Sequence, residues 1–211
     1  MLMIHTESLT EEGKSFLPQL RKLGGSYYLA GGTALALQLG HRVSVDFDFF
    51  SSNEISSDLL TFVEKLFAGL PQRILVNNKN EFTLIVGETK ITFLYYPFSL
   101  LYSLVDWENI KLSSIEEIAA MKAYTIGRRG TFKDYVDLYY VLISGATLES
   151  IIESAEKKYN DAFNSRLFLE QLVYFEDITD TNIRFIKPAV SPKAIEDFFE
   201  EEIKKIKLSQ S

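Results

Sequence analysis

The sequence predicts an α/β (α+β) fold in which a sheet occupies the first half of the chain and the second half is all helical. Three observations lead there. Period-two apolar alternation, broken by short Gly and Asn turns, is confined to residues before about 110. From Ser113 onward apolar residues recur at helical spacing behind Ser or Thr caps followed by acids. The 211 residues, 46% hydrophobic and 13% aromatic, can also bury a sizeable core, and 24% charge is ordinary for a globular chain. The expected division is a core over 1–110 and a helical region over 111–211 packed on it.

The elements follow in order. Ser8 with Glu11 fits a capping box opening a helix over 9–22. After Gly24-Gly25 a short strand, Tyr27 to Ala30, runs into Gly31-Gly32-Thr33, and the stretch Thr33 to Leu39 reads as a short helix ended by Gly40. Residues 43–49 alternate as a strand, with Val43, Val45, Phe47 and Phe49 toward the core and Ser44, Asp46 and Asp48 on the other face. Ser56 or Ser57 caps a helix to about Leu70. Strands at 73–77, 81–86 and 89–96, joined by Asn78-Lys79-Asn80 and Gly87-Glu88, suit a meander. Ser113/Glu116 or Ser114/Glu117 opens a helix over 115–127. Gly130-Thr131 breaks it, and Thr131 with Asp134 starts another to about Ser144. Further helices fit 148–158, 161–175 and 192–207, the last with Ser191 as cap and Pro192 at the first helical position.

Composition removes several chemistries. With no cysteine there is no disulfide framework, thiolate metal site or cysteine nucleophile, and two histidines, His5 and His41, cannot make a His-rich metal site. Lys and Arg number 22 against 29 Asp and Glu, a net charge of −7, which argues against a chain coated in basic charge for nucleic acid. No apolar run reaches the roughly 18–20 residues of a membrane span, and the segment from Met1 to Glu7 lacks the basic start and apolar run of a signal peptide. The expectation is a cytoplasmic protein without membrane contact.

Three patterns carry chemistry. Asp46 and Asp48 lie at i and i+2 on a strand, roughly 6.5–7 Å apart on one face. Two carboxylates aimed at one point repel unless a cation lies between them, and Mg²⁺ accepts one or two carboxylates together with substrate phosphates. Strands disfavour Asp, so two of them flanked by Phe argue against a merely solvated face. Gly31-Gly32-Thr33 sits at a strand-to-helix turn, where backbone N–H groups can meet phosphate; by itself it is also ordinary turn chemistry. Lys122, Arg128, Arg129 and Lys133 form a stretch without acids between Ile118 and Lys133, followed at once by Asp134 and Asp137. The cations can bind phosphate, or pair with the two aspartates and lock two helices together. His41-Arg42, between the glycine turn's helix and the Asp strand, can touch nucleotide or orient the turn. The aromatic run from Phe93 to Phe98, with Tyr135, Tyr139 and Tyr140, reads as packing.

The run YYLAGGTALALQLGHRVSVDFDFF (27–50) resembles the first motif of DNA polymerase β-like nucleotidyltransferases, most closely the AbiEii/AbiGii toxin branch with its GGTALAL, HR and D-x-D elements. The run EEIAAMKAYTIGRRGTFKDYVDLYYVL (116–142) is similar to that branch's second signature, an acid-x-x-x-x-Lys helix followed by Arg-Gly and Lys-Asp-x-x-Asp-Leu. The resemblance implies a minimal nucleotidyltransferase core with a mixed or antiparallel sheet and flanking helices. It also implies Mg²⁺-dependent transfer of a nucleotidyl group from an NTP to an acceptor hydroxyl on RNA, protein or a small molecule. Residue by residue, it implies triphosphate contacts from Gly31, Gly32 and Thr33, nucleotide contacts from His41, Arg42 and Arg129, and metal binding by Asp46 and Asp48. Lys122, Lys133, Asp134 and Asp137 match the second signature, with Lys122, Lys133 and Asp134 joining Asp46 and Asp48 as catalytic candidates. A cognate antitoxin is the implied partner.

One departure stands out. Polymerase β-like enzymes carry a third carboxylate on a following strand, and here that strand reads Lys90-Ile91-Thr92-Phe93-Leu94, with Glu81 and Glu88 only at strand edges. Either the site works with one metal, or a helix residue such as Asp134 contributes, or the chain is a nucleotide- or antitoxin-binding module without turnover. Two other D-x-D classes fit less well. Dehalogenase-type phosphatases want Thr or Val at position 50, where Phe50 stands, and a parallel sheet rather than a meander after the strand. D-x-D glycosyltransferases share only the acid pair.

Overall fold

A computed structural model describes residues 3–209, except for the side chains of Arg129 and of residues 207–209. Seven strands form one mixed sheet: β1 (Tyr28–Ala30), β2 (Phe47–Ser51), β3 (Gln72–Asn77), β4 (Glu81–Val86), β5 (Thr89–Tyr95), β6 (Val105–Trp107) and β7 (Ile110–Leu112). Their order is β3-β4-β5-β2-β1-β7-β6. The predicted meander is present as two antiparallel pairs, β3–β4 and β4–β5. β5 then lies parallel to β2, with Thr92 level with Asp48.

The helices are α1 (Glu11–Leu20), α2 (Gly31–Leu39), α3 (Leu59–Leu66), α4 (Ile115–Arg129), α5 (Phe132–Ile143), α6 (Leu148–Tyr159), α7 (Ser165–Leu172) and α8 (Pro192–Ser209). The chain beyond the sheet is all-α, as expected. α2 is apolar all round, the composition of a helix enclosed on every side. Every residue from Thr33 to Leu39 is buried, between the sheet and the helices α4 and α5. Gly40 ends it in the left-handed conformation (φ +61°) that glycine adopts without steric cost. One hydrophobic core runs through both halves, from Phe47, Phe49 and Phe93 in the sheet to Phe168 and Phe199 on the late helices. Among the described residues no helix is long and apolar enough to cross a membrane.

The local expectations need five corrections. Thr10, not Ser8, caps α1 by accepting from the Gly13 N–H at 3.0 Å, while the buried Ser8 hydroxyl donates to the Ala36 carbonyl. Residues 43–46 belong to no named strand, and Val45 is 46% exposed; Val43 and Ser44 instead donate to the Arg184 and Ser8 carbonyls, outside the sheet ladder. The helix expected up to Leu70 stops at Leu66, behind Asp58 as N-cap. The helix expected over 161–175 is shortened to Ser165–Leu172, capped by Asn164, with a single 3₁₀ turn before it. The sequence reading also missed β6 and β7. β7 crosses residue 110 and pairs parallel with β1, setting Leu112 opposite Leu29.

Candidate active site

A cleft of about 390 Å³ opens where β2, the start of α2, the middle of α4 and the first turn of α5 converge. Asp46, Asp48, Gly32, Thr33, Arg42, Lys122, Lys133 and Asp134 all line it, so most of the residues singled out in the sequence come together. His41 lies beneath the cleft, fully buried, rather than in its wall. Gly31 sits at its edge, where an added Cβ would come 3.3 Å from Asp48 Oδ2. Arg129 closes α4, but its side chain falls outside the described residues.

The floor is an ion cluster around Asp137. This carboxylate is wholly buried. It accepts from His41 Nε2 (2.8 Å), Arg42 Nε (2.7 Å) and Arg42 Nη2 (2.9 Å), and Lys122 Nζ lies 2.7 Å from its Oδ2. Lys122 also donates to Asp134 Oδ1 at 2.7 Å. Asp134 caps α5 as expected, taking the Thr131 N–H (2.8 Å) and hydroxyl (2.9 Å) on its other oxygen. Burial pushes the Asp137 carboxyl up, but Lys122, Arg42 and the hydrogen bonds outweigh it and hold it well below the usual range. Burial likewise works against the Lys122 ammonium, and Asp137 with Asp134 reverses that to raise it. Burial lowers the His41 pKa more than its bond to Asp137 raises it, so the ring is neutral at pH 7. It donates through Nε2, and its Nδ1 has no hydrogen-bond partner among the described residues.

Lys122 and Arg42 are engaged by Asp134 and Asp137 and lock α4, α5 and the His41-Arg42 segment together. Lys133 makes no ion pair among the described residues and stands exposed on the cleft. The close packing also explains Gly32: an added Cβ would lie 2.3 Å from Arg42 Nη2 and 3.4 Å from Asp137 Oδ2. Gly32→Ala is expected to cost about 1–3 kcal/mol, the range for overpacking a filled interior, and to lower Tm by several degrees. A thermal melt matching wild type would show that Arg42 can move aside.

Above the cluster sit the two acids of β2 and the segment before it. Asp46 is 38% exposed on its side chain, and Lys90 Nζ lies 3.6 Å from its Oδ2. Burial raises the Asp48 pKa; Asp46 adds to that, and Lys90, Lys122 and Thr92 only partly offset it. So β5 offers Lys90 and Thr92, not an acid, beside the pair. Among the described residues no group of three or more His, Cys, Asp or Glu could hold a metal. Two carboxylates, one of them half-buried and short of compensating charge, suit Mg²⁺, which keeps waters and takes phosphate oxygens for its remaining positions. The Thr33 hydroxyl hydrogen-bonds to the Asp46 carbonyl and lies 2.8 Å from Ser44 Oγ. Its side chain therefore fixes the approach to β2, leaving only its backbone N–H for phosphate.

The opposite wall was invisible in the sequence. Asn182, Ile183 and Arg184 line it from an extended strap between α7 and α8. Val43 donates to the Arg184 carbonyl at 2.8 Å, and Ile186 donates to the His41 carbonyl at 3.0 Å. No periodicity or motif marks these residues, because the strap is ordered by backbone pairing with a distant segment.

Comparison with known proteins gives a family and a fold. A family model described as the nucleotidyl transferase AbiEii toxin of a type IV TA system matches residues 16–210. An uncharacterized protein of Aquifex aeolicus (strain VF5) is 31% identical over 201 residues, covering 93% of this chain and 96% of its own. Among solved structures, MenT4, a nucleotidyltransferase toxin of Mycobacterium tuberculosis H37Rv, aligns with a TM-score of 0.61 at 19% identity, over 90% of this chain and 80% of its own. JHP933 of Helicobacter pylori aligns with a TM-score of 0.54 at 16% identity, over 96% and 100%. At these identities the structural matches speak for the fold.

Proposed function

The chain belongs to the AbiEii nucleotidyltransferase toxin family, and from that premise we propose that it moves a nucleotidyl group from an Mg²⁺-bound NTP to an acceptor hydroxyl on RNA, protein or a small molecule. The observation that carries this is a single cleft joining Asp46 and Asp48 to the N-terminal turn of α2 and the exposed Lys133. Asp46 and Asp48 would hold the metal, which when bound supplies Lewis-acid polarisation of the α-phosphate. The N–H groups of Gly31, Gly32 and Thr33 end α2, where the helix dipole favours phosphate. Lys133 gives the phosphates a point charge. Asp134, Asp137, His41, Arg42 and Lys122 act mainly as a rigid floor, setting the spacing of α2 and α5. Arg129 is retained as a nucleotide contact on the strength of the motif alone. In this scheme the acceptor oxygen bonds to the α-phosphorus as pyrophosphate departs. Residues 1–110 supply the metal and helix-end groups, and 111–211 supply Lys133 and most of the floor. The proposal extends to a cognate antitoxin as partner, supported by the family's type IV TA description, and to a cytoplasmic setting.

The acid-free β5 favours a second reading, a chain that binds nucleotide without turnover. One assay decides: α-labelled NTPs, each of the four in turn, with Mg²⁺ and total RNA or protein as acceptor. Label should pass to an acceptor with wild type and not with Asp46→Ala/Asp48→Ala. Identical blanks from both would sink the enzyme reading.

A further inference from the structure

We infer that Arg184, on the strap between α7 and α8, grips the terminal phosphates of the nucleotide and so forms the triphosphate site together with Lys133. This rests on the nucleotidyltransferase reading and adds to it a residue outside both sequence motifs.

The inference follows from charge pairing in the cleft. Four cations line it: Arg42, Lys122, Lys133 and Arg184. Arg42 and Lys122 are engaged by Asp137 and Asp134 at 2.7–2.9 Å and are nearly inaccessible. They cannot turn to a ligand without leaving a buried carboxylate unpaired, which is costly. Lys133 and Arg184 are exposed and make no ion pair among the described residues. The acids that remain, Asp46 and Asp48, lie in the same cleft, and neither forms an ion pair with Lys133 or Arg184. A cleft holding two carboxylates and two cations that do not neutralise one another suits a ligand with both signs of charge. A metal-bound triphosphate is such a ligand: the metal goes to the acids and the phosphate oxygens to the cations. Arg presents a planar fork of donors, matched to two phosphate oxygens at once.

The strap is held tightly enough for this work. The Arg184 carbonyl accepts from Val43, the neighbour of Arg42, and Phe185 is bridged to Arg42 itself. On the far side Tyr140, one turn beyond Asp137 on α5, donates to the Pro188 carbonyl at 2.8 Å. Arg184 is therefore tied by its backbone to the same floor that sets the acids, and its side chain is left to the cleft.

The test is equilibrium binding of Mg²⁺ with an NTP, and of the matching nucleoside monophosphate, to wild type, Arg184→Gln and Arg184→Lys. Arg184→Gln keeps the backbone hydrogen bonds, so its Tm should match wild type. Loss of a charge-assisted contact should weaken NTP binding about tenfold while leaving monophosphate binding unchanged, and Arg184→Lys should recover part of the loss. Equal weakening of both ligands would mean that the strap merely shapes the cleft, and would overturn the inference. So would unchanged NTP affinity in Arg184→Gln. A wild-type chain that binds no NTP would instead remove the underlying nucleotidyltransferase reading, and the inference with it.

Discussion

Asp48→Asn is expected to abolish transfer while leaving the protein at least as heat-stable as wild type. Burial raises the Asp48 carboxyl in the folded chain. A carboxyl with a raised folded pKa favours the fold only while protonated, so that contribution is gone at neutral pH, where the ionised group opposes folding. Asn matches its size without the charge, and Tm should hold or rise. The same charge is what a hard cation needs, and losing it should cost several kcal/mol of transition-state stabilisation, about a thousandfold or more in kcat. A structural residue behaves in the opposite way, losing stability first and activity as a consequence. Asp48→Asn with near-normal turnover, or with a large fall in Tm, would place Asp48 outside the metal site.

The second large effect is expected at Asp137, where stability and activity should fall together. Among the described residues, Asp137→Asn leaves Lys122 with Asp134 as its one ion-pair partner and Arg42 with none, and breaking a buried ion cluster from one side costs about 3–5 kcal/mol. In a chain of this size that is a drop in Tm of about 10 °C. The cluster also predicts how the wild type responds to acid. Both His41 and Asp137 have lowered pKa values in the fold. The stability each contributes is complete above its unfolded pKa, about 6.5 for His and 3.9 for Asp, and is lost as pH falls below it. Tm should therefore begin to fall between pH 6.5 and 5, through protonation of His41, and fall further below pH 4. His41→Gln, which can still donate to Asp137, should flatten the first step. Parallel curves for the two proteins between pH 7 and 5 would exclude His41 as the source.

Much of this was legible in local sequence, and the failures share a cause. The meander, the capping box of Thr131 with Asp134 and the glycine end of α2 are each set by residues within a few positions of one another. The acids of the cleft could also be named, because Asp is out of place in a strand. The β6–β7 hairpin could not. Its strands have three residues each, and its turn puts Glu108 and Asn109 at positive φ without the glycine that usually signals such a turn. The alternation at 43–49 begins four residues before β2 does, because an extended segment keeps period two whether or not it joins a ladder. The roles of Lys122 and Lys133 could not be divided from the sequence. Which of them meets Asp137 depends on how α4 crosses α5, and that geometry left Lys122 in the floor and Lys133 on the rim.

The strap also imposes an order in time. Synthesis proceeds at about 5–20 residues per second, so Asp46 and Asp48 leave the ribosome several seconds before Asn182 and Arg184, which wall their cleft. During that interval the cleft is built in stages, with Lys122, Lys133 and Asp134 arriving after the two acids and the strap last. A chain cut short before Asn182 would therefore carry both acids of the cleft and the floor beneath them without the wall that faces them, and on the proposed reading it would not hold a triphosphate.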